Sequence, residues 1–172
     1  MLERDCFPKE SGSLLTLLLA QDGSTTKLCE AISKSQVSLR VHSQARVETV
    51  PEVVMRELGG TSWLQRMTSL QVNARVLMDN LTYTRLDHVP AWFMADLEMG
   101  KAPVGHLLEK LFVRRQRIKS TIDLEQVLFE IVGFPDSNAS RAYTVNTEDG
   151  ALMLVFETYR AGFAQVFEGL GA

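Results

Sequence analysis

The stretch SWLQRMTSLQVNARVLMDNLTYTRL, residues 62–86, contains two long apolar runs that we predict to be strands over 62–72 and 74–86. Asn73 lies between the two runs, and asparagine tolerates the backbone conformation that a tight hairpin turn requires. The stretch therefore predicts a long antiparallel hairpin.

Other parts of the chain extend this pattern. Residues 141–146 and 151–159 flank the turn sequence TEDG and predict a second hairpin. Residues 35–47 alternate between apolar and polar side chains, which is typical of a half-buried strand. The apolar, β-branched run at 123–134 predicts a further strand.

Helical patterns are grouped between these strands. We predict helices at 14–20, from Ser24 or Thr25 through Ile32, at 90–97, and from Pro103 through Phe112; residues 51–58 fit a short helix or an extended segment. Hairpin-connected strands with grouped helices indicate an α+β domain built on an antiparallel sheet.

Composition narrows the class of protein. The chain has 172 residues, of which 45% are hydrophobic and 23% charged, so we expect one globular domain over 1–172. A net charge of −3 argues against nucleic-acid binding, and we expect the basic run RRQRIKS at 114–120 to form a solvated face. A single large apolar helix face, explained by packing on the sheet, leaves a monomer as the expectation.

Targeting and redox signals are sparse. The run at 14–20 is too short to span a membrane, and the first ten residues lack the apolar core of a signal peptide. Cys6 and Cys29 do not form a disulfide framework, and two lone thiols fit a reducing compartment. We therefore expect a cytoplasmic protein that makes no membrane contact.

Glu157 interrupts the last strand, LMLVFETYR at 152–160, whose two faces are both apolar up to that residue. A carboxylate there must be paired, protonated, or at the wall of a wet cavity, unless it reaches solvent at the strand end. Arg66 interrupts an apolar strand in the same way, whereas Arg40 and Arg75 have polar neighbours and are expected to be exposed.

Arg66 and Glu157 leave several alternatives open. They could form a structural ion pair, or they could be unrelated surface charges. If they share a cavity, the guanidinium could hold a substrate carboxylate and the glutamate could meet a hydroxyl or a transferable proton. The three histidines, His42, His88 and His106, lack ligand spacing, so we expect neither a metal nor a cofactor.

Four segments of the chain resemble the chorismate lyase family. MGKAPVG at 99–105 resembles its G-K-x-P-[LV]-G motif, and LLLAQDGSTTKLCE at 17–30 resembles its early segment. WLQR at 63–66 resembles the strand with its substrate-binding arginine, and MLVFETY at 153–159 the strand with its active-site glutamate. The similarity is greater to the divergent chorismate lyase-like branch.

The resemblance implies an antiparallel sheet with helices covering one side and enclosing a ligand cavity. It implies a carbon–oxygen lyase that converts chorismate to 4-hydroxybenzoate and pyruvate by cofactor-free elimination and aromatisation. Arg66 would hold the ring carboxylate and Glu157 would face the C4 hydroxyl. Further contacts would fall at Thr25, Val104 and Gly105; Thr25 replaces a methionine and Val104 a leucine of the best-known members.

Two other functions remain open. An enzyme of the same fold could act on another chorismate-like or cyclic acid. Effector domains of a large bacterial family of transcription regulators resemble the same fold and bind small molecules without catalysis. Those domains normally follow a winged helix, and the lyase-like region here begins almost at Met1, so we expect no DNA-binding domain. A lyase would consume chorismate and release pyruvate, whereas a sensor would only bind.

Overall fold

A computed structural model describes residues 9–100, 102–119, 121–133, 139–161 and 163, without the side chains of residues 9–12. Cys6 and Lys101, both considered above, lie outside this part of the chain. The described residues contain six helices and six strands, which are, in chain order, α1 Lys9–Ala20, α2 Thr25–Ser33, β1 Ser38–Val47, α3 Glu52–Leu58, β2 Trp63–Val72, β3 Arg75–Arg85, α4 Ala91–Met99, α5 Val104–Leu108, β4 Arg114–Ile118, α6 Ile122–Val132, β5 Ser140–Thr147 and β6 Gly150–Tyr159. None of the described helices has the length and apolar character needed to span a bilayer.

The six strands form one sheet in the order β1-β2-β3-β6-β5-β4, and all of its pairings are antiparallel. The α+β fold with an antiparallel sheet is therefore confirmed. Because β3 pairs with β6, the β2–β3 and β5–β6 hairpins lie side by side. In this order, one strand, β3, lies between β2, which contains Arg66, and β6, which contains Glu157.

Both hairpins form where the sequence predicts them. In the β2–β3 turn, Asn73 and Ala74 have φ angles of 49° and 64°. A two-residue type I′ turn needs positive φ at both central positions, and its twist matches that of the flanking strands. In the β5–β6 hairpin, Gly150 directly follows the turn with a φ of 113°, a conformation that glycine adopts without a steric penalty.

The predicted helices at the beginning of the chain and near residue 90 are confirmed. Ser24 is the N-cap of α2, and its hydroxyl accepts a hydrogen bond from the backbone N–H of Lys27. Cys29 is buried on α2, and burial raises the pKa of its thiol to about 12. The helix after Pro103 is shorter than predicted, because α5 ends at Leu108 and Phe112 is 77% exposed.

The prediction of a strand at 123–134 was wrong. Residues 122–132 form helix α6 rather than a strand, since Leu124 and Leu128, four positions apart, bury one helical face. The basic run is largely exposed, as expected, and its residues 114–118 form the edge strand β4, which was not predicted. Its alternate arginines, Arg115 and Arg117, donate hydrogen bonds to the backbone oxygens of Asp22 and Leu19.

Helices pack on both faces of the sheet. Phe93 of α4 and Leu108 of α5 form one apolar cluster with Leu64 and Val155. On the other face, α3 and α6 contribute to a cluster that contains Met67, Leu81 and Phe156. The helices that were expected to cover one side of the sheet thus correspond to α4 and α5. Helix α2 contacts α5 on the same side of the sheet.

Candidate functional site

A cavity of about 40 Å³ lies between the sheet and helices α2 and α5. Its wall combines polar side chains of three neighbouring strands with the first residues of the two helices. The lining residues used below are Thr25, Thr68, Asn80, Val104, Gly105 and Glu157. A volume of this size has room for only a few water molecules, so a ring-sized ligand requires the helices to move outward.

The register of the sheet builds this wall in rows. Residues directly opposite each other in antiparallel strands share a face, so Thr68, Asn80 and Glu157 form one row across β2, β3 and β6. Side chains two positions apart on a strand also share a face. Arg66 therefore begins the adjacent row, opposite Thr82.

Glu157 is buried and fully engaged. Its Oε2 accepts a hydrogen bond from Arg141 Nε at 2.7 Å, and its Oε1 accepts one from the Tyr143 hydroxyl at 2.9 Å. The Thr25 hydroxyl donates to the same carboxylate, 3.3 Å and 3.4 Å from its two oxygens. The ion-pair partner of Glu157 is thus Arg141 and not Arg66.

Arg141 connects the end of β6 to the start of α2. Its Nη2 donates to Thr25 Oγ1 at 2.7 Å, and its Nη1 donates to the backbone oxygen of Gln21. The side-chain amide of Gln21 also donates to Thr25 Oγ1, at 3.0 Å. These contacts use both the donor and the acceptor capacity of the Thr25 hydroxyl.

Electrostatics agree with a paired carboxylate. Burial alone lowers the pKa of Arg141, but attraction to Glu157 and to nearby tyrosines raises it above the ordinary value. Burial raises the pKa of Tyr143, and the negative charge of Glu157 raises it further. Tyr143 therefore stays protonated at physiological pH, and its hydroxyl donates a hydrogen bond to the Glu157 carboxylate.

Arg66 is in the opposite situation. Its side chain is 1% exposed, and none of its three nitrogens has a hydrogen-bond partner in the part of the chain that the structure describes. Burial lowers the pKa of Arg66 to about 10, which still leaves the guanidinium charged at neutral pH. A charged group without a partner among the described residues is uncommon in a protein interior, and Arg66 lies one row away from the cavity lining.

Gly105 permits the close approach of α5 to α2. A Cβ at this position would lie 2.7 Å from Thr26 Oγ1 and 2.9 Å from Ser24 Oγ. Contacts that short do not occur for real side chains, so any other residue would force the Ser24 and Thr26 side chains, or the helices themselves, to shift. Together with Val104, Gly105 closes the cavity on its helical side.

The site residues predicted from the sequence come together only in part. Thr25, Val104, Gly105 and Glu157 line one cavity, whereas Arg66 lies in the adjacent row and is not part of the lining. Their roles in ligand binding stay predictions. Among the described residues, no cluster of three or more histidine, cysteine, aspartate or glutamate side chains could hold a metal ion.

Sequence reasoning missed Arg141, Tyr143 and Asn80. Arg141 and Tyr143 lie on alternate positions of β5 and so share the face of Glu157, which sits opposite Arg141. Asn80 is a polar residue within the buried part of β3. A polar side chain inside a predicted buried strand was the available signal, and it was applied only to Arg66 and Glu157.

No protein-family model and no curated protein matches this chain. Two similar solved structures come from Mycobacterium smegmatis. The crystal structure of PhnF has a TM-score of 0.55 and 15% identity, and the match covers 83% of this chain and 66% of that one. The effector domain of PhnF has a TM-score of 0.53 and 16% identity, with 81% and 90% of the two chains covered. At these identities the likeness shows the fold alone, which this chain shares with the effector domain of PhnF.

Proposed function

We propose that this domain binds a small organic anion reversibly and acts as a non-catalytic, effector-sensing domain. The observation that carries the proposal is the buried guanidinium of Arg66, which has no hydrogen-bond partner within the described part of the chain. An isolated charge costs several kcal/mol in a protein interior, and an anionic ligand would offset this penalty on binding. A carboxylate suits the role, because it matches the planar fork of a guanidinium with two parallel hydrogen bonds.

Two further features support sensing over catalysis. Both oxygens of Glu157 already accept hydrogen bonds from protein donors, so the carboxylate is held as part of the cavity wall. The same fold serves as the effector domain of PhnF. A wall of fixed polar groups, beside an arginine that has no hydrogen-bond partner among the described residues, fits a site that holds a ligand without transforming it.

Calorimetric titration with a panel of small carboxylates, including chorismate, 4-hydroxybenzoate and benzoate, tests the proposal. We expect at least one of them to bind to the wild-type domain. Arg66→Met should weaken that binding by about 30-fold to 1,000-fold, since truncating one partner of a buried charge pair costs roughly 2–4 kcal/mol.

The matched control is Arg75→Met. Arg75 is also a strand arginine, but it is exposed at the start of β3, and its replacement should leave the affinity unchanged. Equal affinity of the wild type and Arg66→Met would refute Arg66 as the anion-binding group. If none of the carboxylates binds, the proposed function fails.

Chorismate lyase activity is the second candidate, because Glu157 lines the same cavity. Purified protein would be incubated with chorismate, without added metal or cofactor, and the products separated by chromatography. Equal amounts of 4-hydroxybenzoate and pyruvate, with turnover lowered by Glu157→Gln, would establish the lyase. A different aromatic product would indicate another reaction on the same fold. Binding of chorismate without any product would favour the sensor.

A further inference from the structure

We propose that this protein has a second anion-binding site, which holds a tetrahedral oxyanion, either free phosphate or the phosphate group of a small ester. The site is a pocket of about 290 Å³ between the end of α1 and the edge strand β4. Arg115 and Arg117 of β4 line it together with Arg141, Tyr143 and residues 20–22. The pocket is distinct from the cavity described above, and its ligand is independent of the proposed function.

The register of the sheet edge gathers the three arginines. Arg115 lies opposite Val145 and Arg117 opposite Tyr143 in the pairing of β4 with β5. Side chains two positions apart on a strand share a face, so Arg141 lies on the same side of the sheet as the other two. Arg115 and Tyr143 also line the cavity, and the pocket and the cavity adjoin each other at these two side chains.

The two arginines of β4 keep most of their hydrogen-bond donors available. Arg115 Nη1 donates to the backbone oxygen of Asp22 at 3.2 Å, and Arg117 Nη2 donates to that of Leu19. A guanidinium has five N–H donors, and the described residues engage one on each side chain. The Nε of Arg115 is buried and has no hydrogen-bond partner among them.

Capping of α1 explains only part of this arrangement. Cations near the end of a helix stabilise its exposed carbonyls, and the bonds to Leu19 and Asp22 fit that role. A backbone carbonyl holds a guanidinium in place but does not neutralise its charge. Capping also accounts neither for the buried Nε of Arg115 nor for the open volume in front of both arginines.

The charges of the pocket favour an anion with several oxygens. Glu157 compensates Arg141, which leaves Arg115 and Arg117 as two positive charges against one carboxylate, Asp22, in the described lining. A single carboxylate is satisfied by the fork of one guanidinium. A phosphate group has enough oxygens and charge to accept hydrogen bonds from both arginines at once.

Titration calorimetry with inorganic phosphate and with phenyl phosphate tests the proposal, at constant ionic strength and about pH 7.5, where both are mainly dianions. We expect saturable binding of at least one of them, with a dissociation constant of about 1 mM or lower. Arg115→Gln and Arg117→Gln should each weaken this binding by about 10-fold or more, because each removes charge-assisted hydrogen bonds.

Arg114→Gln is the matched control. Arg114 precedes Arg115 on β4, but it is exposed, lies on the other face of the strand and is not part of the pocket lining. Its replacement removes the same charge from the chain and should leave the phosphate affinity within about 2-fold of wild type, because water and salt screen an exposed charge.

Arg117→Lys separates a lost ligand contact from a damaged fold. Lysine keeps the positive charge at this exposed position but lacks the planar fork of arginine. Phosphate should therefore bind about 3-fold to 10-fold more weakly than to the wild type, while the melting temperature without phosphate stays the same.

The comparison of the two ligands identifies the source of the phosphate group. Tighter binding of phenyl phosphate would assign the pocket to an organic phosphate, and tighter binding of inorganic phosphate to the free ion; both results support the site. No saturable binding of either up to about 10 mM, or an equal loss in Arg114→Gln, would overturn it. Loss of binding in Arg66→Met, with wild-type binding in both glutamine variants of the pocket, would place the ion in the inner cavity and also overturn it.

Discussion

Arg66 and Arg141 are two buried arginines on the same face of one sheet, and their surroundings differ completely. Arg141 is 6% exposed, lies 2.7 Å from the Glu157 carboxylate, and donates to Thr25 and to the backbone of Gln21. Arg66 is 1% exposed and has no hydrogen-bond partner among the described residues. The two arginines are therefore both buried, and they differ in whether hydrogen-bond acceptors of the described residues surround the guanidinium.

The difference divides the site into two parts with different tasks. Around Arg141, each charge is compensated within the protein, which fixes the position of α2 against β5 and β6. Around Arg66, the described residues supply no compensating acceptor, and under the proposed function an anion from solution supplies it. The satisfied part keeps one side of the wall in place when a ligand enters, which limits the cost of the outward movement that a ring-sized ligand requires elsewhere.

The largest expected effect is the loss of stability on replacing Arg141 with methionine. The substitution leaves Glu157 buried without its ion-pair partner, and breaking a buried pair from one side costs about 3–5 kcal/mol. Urea denaturation should show this loss in the free energy of unfolding.

A double variant separates lost pairing from general damage to the core. Adding Glu157→Leu to Arg141→Met removes the uncompensated carboxylate and should restore part of the lost stability. An unchanged or larger loss in the double variant would mean that the pair itself is not what Arg141 contributes.

The sequence was sufficient for the parts of the fold that depend on local signals. Asn73 marks a turn because few residues tolerate positive φ, and the strands on either side have the composition of a buried sheet. Placing a carboxylate or a guanidinium inside such a strand costs too much to be incidental. Glu157 and Arg66 could therefore be singled out before any contact was known.

The pairing of Arg141 with Glu157 could not be obtained in this way. Counting back from the two-residue β5–β6 turn without interruption would place Arg141 opposite Phe156. A register shift between Val145 and Asn146 places it opposite Glu157 instead. A β-bulge inserts one residue into a strand and shifts the pairing of all later residues by one position. The local composition contains no signal that predicts such a bulge.

The wrong prediction for α6 and the missed strand β4 have a related cause. Residues 123–134 are apolar enough for either a buried strand or a helix. Which of the two forms depends on which side chains can pack against the rest of the core. Leu124 and Leu128 pack with Met67 and Phe156 across the sheet, which only the folded topology reveals. The arginines of β4 likewise find backbone acceptors near the end of α1, far away in sequence.

An intermediate effect is expected for Tyr143→Phe, which removes one hydrogen bond of the satisfied part. A hydrogen bond to a charged group contributes about 1.5–3 kcal/mol, so the variant should lose roughly 2 kcal/mol of unfolding free energy near pH 7. The pKa of Tyr143 is raised in the folded state, so its stabilising contribution is complete below about pH 10 and declines as the pH rises further.

Urea denaturation at pH 7 and pH 10.5 checks both statements. The gap in stability between the wild type and Tyr143→Phe should narrow at the higher pH. A gap of the same size at both values would contradict the burial of a neutral hydroxyl donor at this position.

The smallest effect is expected for Arg66→Met without ligand, and its sign is the opposite of that for Arg141→Met. Methionine removes an unpaired charge that costs several kcal/mol, but it is shorter than arginine and leaves a gap in the packing, so we expect a net rise of about 1 kcal/mol in the free energy of unfolding. The folded pKa of Arg66 is about 10, below its ordinary value, so the unfolded chain binds more protons between about pH 10 and 12.5. The wild type should therefore regain stability relative to the variant as the pH rises through that range.

A bound anion should reverse this order at neutral pH. At a ligand concentration of 100 times the dissociation constant, the wild type gains about 2.7 kcal/mol, whereas Arg66→Met, which binds weakly, gains far less. The variant would then be the more stable protein without ligand and the less stable one with it. We expect no such reversal for Arg141→Met, because the ion-pair partner of Arg141 is Glu157, which is part of the protein with or without a bound anion. A loss of stability in ligand-free Arg66→Met as large as that in Arg141→Met would mean that Arg66 is paired in the folded protein, and the contrast between the two arginines would disappear.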